Sequence, residues 1–284
     1  MQGHRRLWVD GEVVAEATDG VTARALAATL GRGFRAVLPV RHGAVCFLDE
    51  ARKEAFDTLA LFGVSPEREL TALEQWLVPR ASHVGRGSAE ILCGLAGPVS
   101  VVDAPDDSVV ALAALTRDAV AGVPGHPLPV VIAPWAWDDM SPLSARSMIS
   151  GVERGRASRY AASRRCADVL WATRAGLAVQ FGSGSLLWHV ADEWRTPAAS
   201  CGRTWNPVAE RLAARLDAVH VEAAPTDLDN AQVVLRVTSS GDLHALGSLE
   251  DTPMEVSPAL LASARDHLVD VLVPASRGSI RRPE

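Results

Sequence analysis

The chain has 284 residues, of which 48% are hydrophobic, and this is enough apolar material for the core of one large domain or two medium-sized domains. Its mean hydropathy is +0.10 and no apolar run reaches the length of a membrane span, so a membrane protein is not expected, and the early return to polar residues at Asp10 is not typical of a signal peptide. The net charge is −6 and the basic residues are spread along the chain, so we expect a soluble, cytoplasmic protein that does not bind nucleic acid.

The first half of the chain shows strand and helix patterns in alternation. Residues 7–14 predict a β-hairpin with Asp-Gly at its turn. An alanine-rich segment follows at residues 22–30. The elements predicted after it are two strands, two helices and two further strands, at residues 34–40, 44–48, 49–62, 65–77, 91–93 and 99–102. Asp49 is the expected N-cap of the first of these helices.

The second half begins after a Pro- and Gly-rich segment at residues 122–127, which is typical of an interdomain linker. Helices are predicted after residue 152 and at residues 207–216 and 258–272. The predicted strands lie at residues 129–135, 168–173, 177–180, 186–190 and 233–237. Because strands and helices are mixed in both halves, the α+β class with two layers is favoured.

The four cysteines, Cys46, Cys93, Cys166 and Cys201, are far apart in the sequence and form no C-x-x-C pair. Neither a metal site nor a disulfide framework is therefore predicted. Lysine is rarer still, because Lys53 is the only one in the chain. An internal lysine Schiff base would have to use Lys53, whose charged neighbours favour a solvated position on the predicted helix.

A segment after the strand at residues 129–135 reads S-P-L-S-A-R-S-M-I-S-G, at residues 141–151. It resembles the segment that carries the cofactor lysine in class IV aminotransferases and aminodeoxychorismate lyases, where members commonly read S-P-L-A-G-x-K-T-x-S-Y. The lysine position of that pyridoxal-phosphate family falls on Ser147, and its tyrosine position falls on Gly151. The opening hairpin also resembles the family's W-V-N-G-x-x-V type hairpin.

Two further functional positions of the family are also replaced. The arginine that holds the cofactor phosphate falls on Pro39, which has neither a cationic side chain nor a backbone N–H. The glutamate that keeps the pyridine nitrogen protonated falls on Gln180, which has the shape without the charge. Because lysine, tyrosine, glutamate and arginine are lost together, we expect no covalently bound pyridoxal phosphate and no other cofactor.

The resemblance implies the α+β, two-domain fold of the class IV aminotransferases, also called D-amino acid aminotransferase-like. An N-terminal α+β domain is expected at residues 1–120, a linker at 121–128, and a C-terminal domain with the degenerate cofactor site at 129–284. The resemblance also implies a homodimer, because the family's sites lie near the subunit interface.

A cleft between the two domains is expected to persist and to accept a small-molecule substrate. The candidate catalytic residues are Ser147, Gln180 and Cys201. The candidate substrate-binding residues lie mostly at positions that match the family's cofactor site, and they are Arg35, Trp135, Ser183, Ser185, Arg203, Thr204, Ser239 and Ser240. Among these, Arg35 and Arg203 are candidates for carboxylate binding, and Trp135 could stack on a flat ligand.

Each candidate also has a purely structural interpretation. Ser147 could fill the space left by the lysine, and Cys201 could be a small buried apolar residue. Two hypotheses on function follow. The first is a cofactor-independent enzyme acting on a small carboxylated metabolite, by lyase, isomerase or condensation chemistry. The second is a non-catalytic relative that acts as a ligand sensor or a partner subunit, because a fold does not determine a function.

Overall fold

The computed structural model describes residues 4–9, 12–17, 32–95, 109–117, 126–146 and 152–273. The alanine-rich segment, the predicted strand at residues 99–102 and the C-terminal tail from residue 274 lie outside these ranges. Residues 121–125 of the predicted linker lie outside them as well, so the domain boundaries stay a prediction.

Strands and helices are mixed along the described chain. The first two strands pair in antiparallel orientation, as predicted for the hairpin. The strands are β1 (His4–Val9), β2 (Glu12–Ala17), β3 (Arg32–Arg41), β4 (Ala44–Val45), β5 (Gly87–Leu95), β6 (Val109–Arg117), β7 (Leu128–Ile132), β8 (Asp168–Ala172), β9 (Ala178–Phe181), β10 (Gly184–Val190), β11 (Glu193–Pro197), β12 (Val219–Val221), β13 (Val233–Val237), β14 (Leu243–Leu249) and β15 (Thr252–Pro253).

The α-helices are α1 (Leu48–Ala60), α2 (Glu67–Val84), α3 (Val152–Ser163), α4 (Pro207–Arg215) and α5 (Pro258–Val271). Proline opens both α4 and α5, and the side chains of Asn206 and Ser257 cap them by accepting hydrogen bonds from backbone N–H groups. This local chemistry explains why the starts of both helices were predicted. None of the helices in the described ranges is long and apolar enough to cross a membrane.

The first sheet is antiparallel throughout and has the strand order β2-β1-β6-β5-β3-β4. Helices α1 and α2 pack on it, and their Leu59 and Leu77 share one buried core with Phe34 and Leu38 of β3. Side chains alternate between the faces of a strand, so Arg35, between these two core residues, projects from the opposite face. This face turns towards the second sheet.

The second sheet closes on itself. Its order is β12-β11-β10-β13-β14-β7-β8-β9, and β9 also pairs with β10, so six strands form a barrel-like ring. One buried cluster takes a residue from each strand of this ring, which identifies the cluster as the ring's interior. These residues are Val130, Leu170, Phe181, Leu186, Val234 and Leu246.

The outer face of the ring is covered by helices. Helices α4 and α5 pack through Leu212 and Leu268 against Leu235 of β13. Helix α3 packs through Ala157 against Val169 of β8. The α+β class predicted from the sequence is therefore confirmed, with two mainly antiparallel sheets and helices on their faces.

Several predicted element boundaries were wrong. The strand predicted at residues 44–48 stops at Val45, because Phe47 adopts a left-handed conformation (φ 59°) and helix α1 starts at Leu48. Asp49 therefore lies in the first turn of the helix and is not its N-cap. Helix α2 runs to Val84 and passes through Pro79, because its buried face continues beyond the predicted end.

Five of the described strands were missed, namely β6, β11, β12, β14 and β15. Strand β6 reads V-V-A-L-A-A-L-T-R and is buried on both faces along most of its length. A strand that is buried on both faces lacks the alternation of apolar and polar residues that identifies a half-buried strand.

Truncating the ring interior should destabilise the protein more than the same truncation at the surface. Leu186 is 0% exposed inside the ring and Leu61 is 48% exposed. We expect Leu186→Ala to lower the free energy of unfolding by about 2–5 kcal/mol, because it leaves a cavity. Leu61→Ala is the matched control and should change it by about 0.5 kcal/mol or less. Urea unfolding measures both, and equal losses would contradict the assignment of the ring interior.

Candidate functional site

A cavity of about 350 Å³ opens between the first sheet and one end of the barrel-like ring. Strand β3 supplies one wall through Arg35 and Val37, and helix α3 supplies Arg154 and Ser158. The opposite wall consists of three segments, at residues 180–185, 204–206 and 238–240. Residues far apart in the sequence therefore meet at one polar cavity, which has the size of a small-molecule site.

Seven of the residues proposed from the sequence line this cavity. They are Arg35, Gln180, Ser183, Ser185, Thr204, Ser239 and Ser240. Three of the four other proposed residues are described and do not line it. Ser147 lies outside the described residues, and Trp135, Cys201 and Arg203 lie elsewhere in the fold.

Trp135 lies in an aromatic cluster outside the ring. Its ring is 5.4 Å from that of Tyr160 and 5.7 Å from that of Trp171, both in edge-on geometry. The guanidinium of Arg156 lies 3.9 Å from the centre of the Trp135 ring and covers it. This packing supports a structural role for Trp135 beside α3.

Cys201 and Arg203 are also engaged away from the cavity. Cys201 is 1% exposed, and burial raises the pKa of its thiol, so the nucleophilic thiolate is disfavoured. Arg203 forms a two-pronged ion pair with Glu210, one turn into helix α4. These contacts favour the structural interpretation of Cys201 and leave the Arg203 charge already compensated.

Gln180 braces one wall of the cavity. Its Oε1 accepts a hydrogen bond from the backbone N–H of Thr204 at 2.6 Å, and its Nε2 donates to Thr204 Oγ1 at 3.0 Å. Thr204 Oγ1 in turn donates to the backbone carbonyl of Ser144 at 3.3 Å. The amide therefore fixes the segment around Thr204 and places no negative charge in the cavity.

A buried ion pair that sequence reasoning missed lies beneath Ser183. Arg236 Nη1 donates to Asp168 Oδ2 at 3.0 Å and to Ser183 Oγ at 3.0 Å. Ser183 donates to the same carboxylate oxygen through its hydroxyl at 2.5 Å. The only available signal was a charged residue inside each of two apolar strand patterns, since Asp168 opens D-V-L-W-A and Arg236 interrupts V-V-L-R-V.

Other polar residues that line the cavity also form hydrogen bonds within the protein. Asn206 Nδ2 donates to Ser185 Oγ and to the Val237 carbonyl, each at 3.0 Å, while its Oδ1 caps helix α4. Ser240 Oγ donates to Asp242 Oδ2 at 2.7 Å. These bonds hold the hydroxyl-rich segments rigid around the cavity.

The charges at the cavity are positive. Arg35 is paired with Glu90, whose carboxylate lies 2.8 Å from its guanidinium. The pKa of Arg154 is lowered by desolvation and by the nearby positive charge of Arg35. Among the described residues, no aspartate, glutamate, histidine, cysteine or lysine lines the cavity. Sequence reasoning missed Arg154, because nothing in the α3 sequence shows which helix face meets the cavity.

Comparison with solved structures identifies the fold. A hypothetical aminotransferase from Mycobacterium tuberculosis matches with a TM-score of 0.78 and 14% identity, over 95% of this chain and 99% of that one. The chain has the class IV aminotransferase fold. A second match is the fold IV-transaminase CpuTA1 from Curtobacterium pusillum. Its structure matches this chain with a TM-score of 0.79 and 16% identity, over 95% of this chain and 98% of that one.

A putative 4-amino-4-deoxychorismate lyase from Legionella pneumophila also shares the class IV fold. It matches with a TM-score of 0.74 and 14% identity, over 85% of this chain and 91% of that one. No protein-family model matches the sequence, and no curated protein matches it either. The resemblance drawn from sequence motifs is thus confirmed at the level of the fold.

The residues at the cavity do not fit a covalently held pyridoxal phosphate. The chain's one lysine, Lys53, is exposed on α1 and does not line the cavity. Gln180 is uncharged and is already bonded to Thr204, so it cannot hold a proton on a pyridine nitrogen. Pro39 of β3, to which the resemblance assigns the phosphate-binding arginine, is buried, does not line the cavity and lacks the donors that a phosphate needs.

Removing the Asp168 charge should destabilise the fold strongly. Asp168 and Arg236 are only 7% and 12% exposed, so Asp168→Asn leaves a buried guanidinium without its counter-charge. We expect a loss of about 3–5 kcal/mol in the free energy of unfolding, measured by chemical denaturation. The matched control is Asp270→Asn, because Asp270 and Arg215 form an exposed pair, and it should cost less than about 1 kcal/mol. A comparable loss in both variants would contradict a structural role for the buried pair.

The thiols should differ in reactivity in the native protein. Cys46, Cys93 and Cys201 are buried and Cys166 is partly exposed, while burial raises the pKa of all four. We expect iodoacetamide to modify Cys166 first and the other three only on unfolding. Peptide mass spectrometry after timed labelling measures the order. Rapid modification of native Cys201 would restore it as a candidate nucleophile.

Proposed function

We propose that the chain is an enzyme that uses the class IV fold without pyridoxal phosphate, as a lyase, isomerase or condensing enzyme in a biosynthetic pathway. Its substrate in this proposal is a small carboxylated metabolite. The observation that carries the proposal is the polar cavity itself, which joins Arg35 and Arg154 with the hydroxyl-rich segments but includes no lysine among the described residues. Guanidinium, hydroxyl and amide groups that converge on one cavity are typical of a ligand-binding site.

The chemistry follows from the side chains that line the cavity. Guanidinium groups and fixed hydrogen-bond donors can stabilise negative charge that develops on a substrate oxygen, and this requires no electron sink. Arg35 and Arg154 supply the positive charge, while Gln180 and Ser185 belong to the braced wall opposite. Ser147, which follows the described segment 126–146, is proposed as a further group that bonds the substrate.

The protein is proposed to act as a cytoplasmic homodimer with domains at residues 1–120 and 129–284 joined by a linker at 121–128. The support for the domain division is that the strands of the first sheet all precede residue 118 and those of the second all follow residue 127. The dimer is proposed from the likeness to the class IV fold.

A second candidate is a non-catalytic ligand sensor or partner subunit. It is favoured by the internal bonding of the cavity walls, since Gln180, Thr204, Ser183 and Ser240 already use their polar atoms on protein partners. Groups engaged in this way are poorly placed to transfer protons. Co-purification with an active aminotransferase or lyase, together with no turnover by this chain alone, would support this candidate.

Turnover without added cofactor tests the proposed enzyme. The purified protein is incubated with a panel of 2-oxo acids and aryl carboxylates, with and without pyridoxal phosphate, and products are detected by mass spectrometry. We expect turnover that is independent of the cofactor and unchanged in Lys53→Arg, because Lys53 lies outside the cavity. Gln180→Ala should reduce turnover by about tenfold or more, because it frees the segment at Thr204.

Two outcomes would contradict the proposal. The first is an absence of both turnover and thermal stabilisation across the whole panel. The second is covalent attachment of pyridoxal phosphate that borohydride traps in the wild type and that Lys53→Arg abolishes, since Lys53 is the only lysine available.

A further inference from the structure

Two residues of helix α3 reach the cavity from the same side. Arg154 and Ser158 are four residues apart, so they share one face of the helix, and both line the cavity. Arg154 is exposed, and among the residues that the structure describes it forms no hydrogen bond and no ion pair. Its guanidinium is thus available to a ligand, in contrast to the Arg203 guanidinium, which Glu210 already holds.

A second positive charge lies nearby on strand β3. Arg35 lines the same cavity as Arg154, so two positive charges face one space. The pKa of Arg154 is lowered first by desolvation and then by the positive charge of Arg35. Glu90 compensates Arg35 at 2.8 Å but makes no contact with Arg154. An anion placed between the two guanidiniums would relieve their repulsion and gain charge-assisted hydrogen bonds.

A positively charged group on a ligand would find no negatively charged side chain among the described residues that line the cavity. Three carboxylates in the surrounding shell are already bonded, Asp168 to Arg236, Asp242 to Ser240, and Glu90 to Arg35. A fourth, Glu153, precedes Arg154 on α3 and does not line the cavity, and its charge acts on Arg154. An ammonium group on the ligand would therefore lose its hydration without gaining a counter-charge.

We infer that the cavity selects an oxyanion on a ligand that carries no ammonium group, with Arg154 as its main contact and Ser158 and Arg35 beside it. This inference rests on the proposed function, in which the cavity holds the substrate, and it narrows the substrate class. Carboxylates and phosphate esters meet the requirement, whereas α-amino acids do not. Trp205 lines the cavity as well, and its ring packs beside Phe34 of β3, so the wall near this residue is partly apolar.

Calorimetric titration with a matched pair of probes tests the inference. 3-Phenylpropionate and phenylalanine share one carbon skeleton and one carboxylate, but only phenylalanine carries an ammonium group. We expect 3-phenylpropionate to bind at least about tenfold more tightly, because burying an unpaired cation is costly. Inorganic phosphate, used as a competitor, shows whether the site prefers a phosphate or a carboxylate. Equal binding of the two phenyl probes, or tighter binding of phenylalanine, overturns the inference.

Two variants on one helix locate the contact. Arg154→Gln should weaken 3-phenylpropionate binding by about tenfold or more, the effect of losing a charged hydrogen bond. Arg159→Gln is the matched control, because it removes the same charge from an exposed position of α3 that does not line the cavity, and it should change binding less than about twofold. Equal effects of the two variants would leave only general electrostatic attraction and overturn the site.

Thermal melting establishes that both variants are folded. If Arg154→Gln fails to fold, Ser158→Ala provides the same test with a smaller expected loss, and unchanged binding in that variant overturns the inference. The two proposals fail in different ways. Binding of 3-phenylpropionate without turnover of any metabolite supports the anion site and favours the ligand sensor over the enzyme, whereas turnover with an unchanged KM in Arg154→Gln contradicts the anion site alone.

Discussion

The buried ion pair between Asp168 and Arg236 connects the closed ring to the cavity. It joins strands β8 and β13, and both of its members bind Ser183 at the two-residue turn between β9 and β10. The backbone is tightly packed here, since a Cβ atom at Gly182 would lie 2.7 Å from the Asp168 carboxylate and one at Gly184 would lie 2.7 Å from the Val237 carbonyl. The same contacts that secure this turn of the ring therefore fix one wall of the cavity.

The cavity lies in a fold that this chain shares with other class IV structures, but its side chains are particular to this chain. A fold of this kind leaves a space where two sheets meet, and the residues around that space decide what it can bind. In this chain the space has guanidinium groups on one side and hydroxyl and amide groups, bonded to one another, on the other. This arrangement is the basis of our proposal that the cavity recognises an anion and stabilises negative charge and does not transfer protons.

The sequence predicted the capped starts of α4 and α5 and five of the six strands of the ring, and its motif order indicated the fold. Phe34 to Val40 and Pro207 to Leu216 were predicted from local patterns that the structure confirms. Strand β14 was missed because it contains Gly247, which weakens a strand pattern, and β11 because its Glu193 and Arg195 do not read as apolar. Strand pairing stabilises both, and pairing is not visible in a single strand's sequence.

The sequence by itself determined which reactive and charged side chains the protein contains. It contains one lysine, and the resemblance to the class IV family assigns that family's lysine and glutamate positions to two uncharged residues, Ser147 and Gln180. Only the tertiary structure decided which of the remaining polar residues meet. It brought Arg154 to the cavity and left Arg203 with Glu210. The reason is physical, because which face of a helix is covered depends on packing against segments that are distant in the chain.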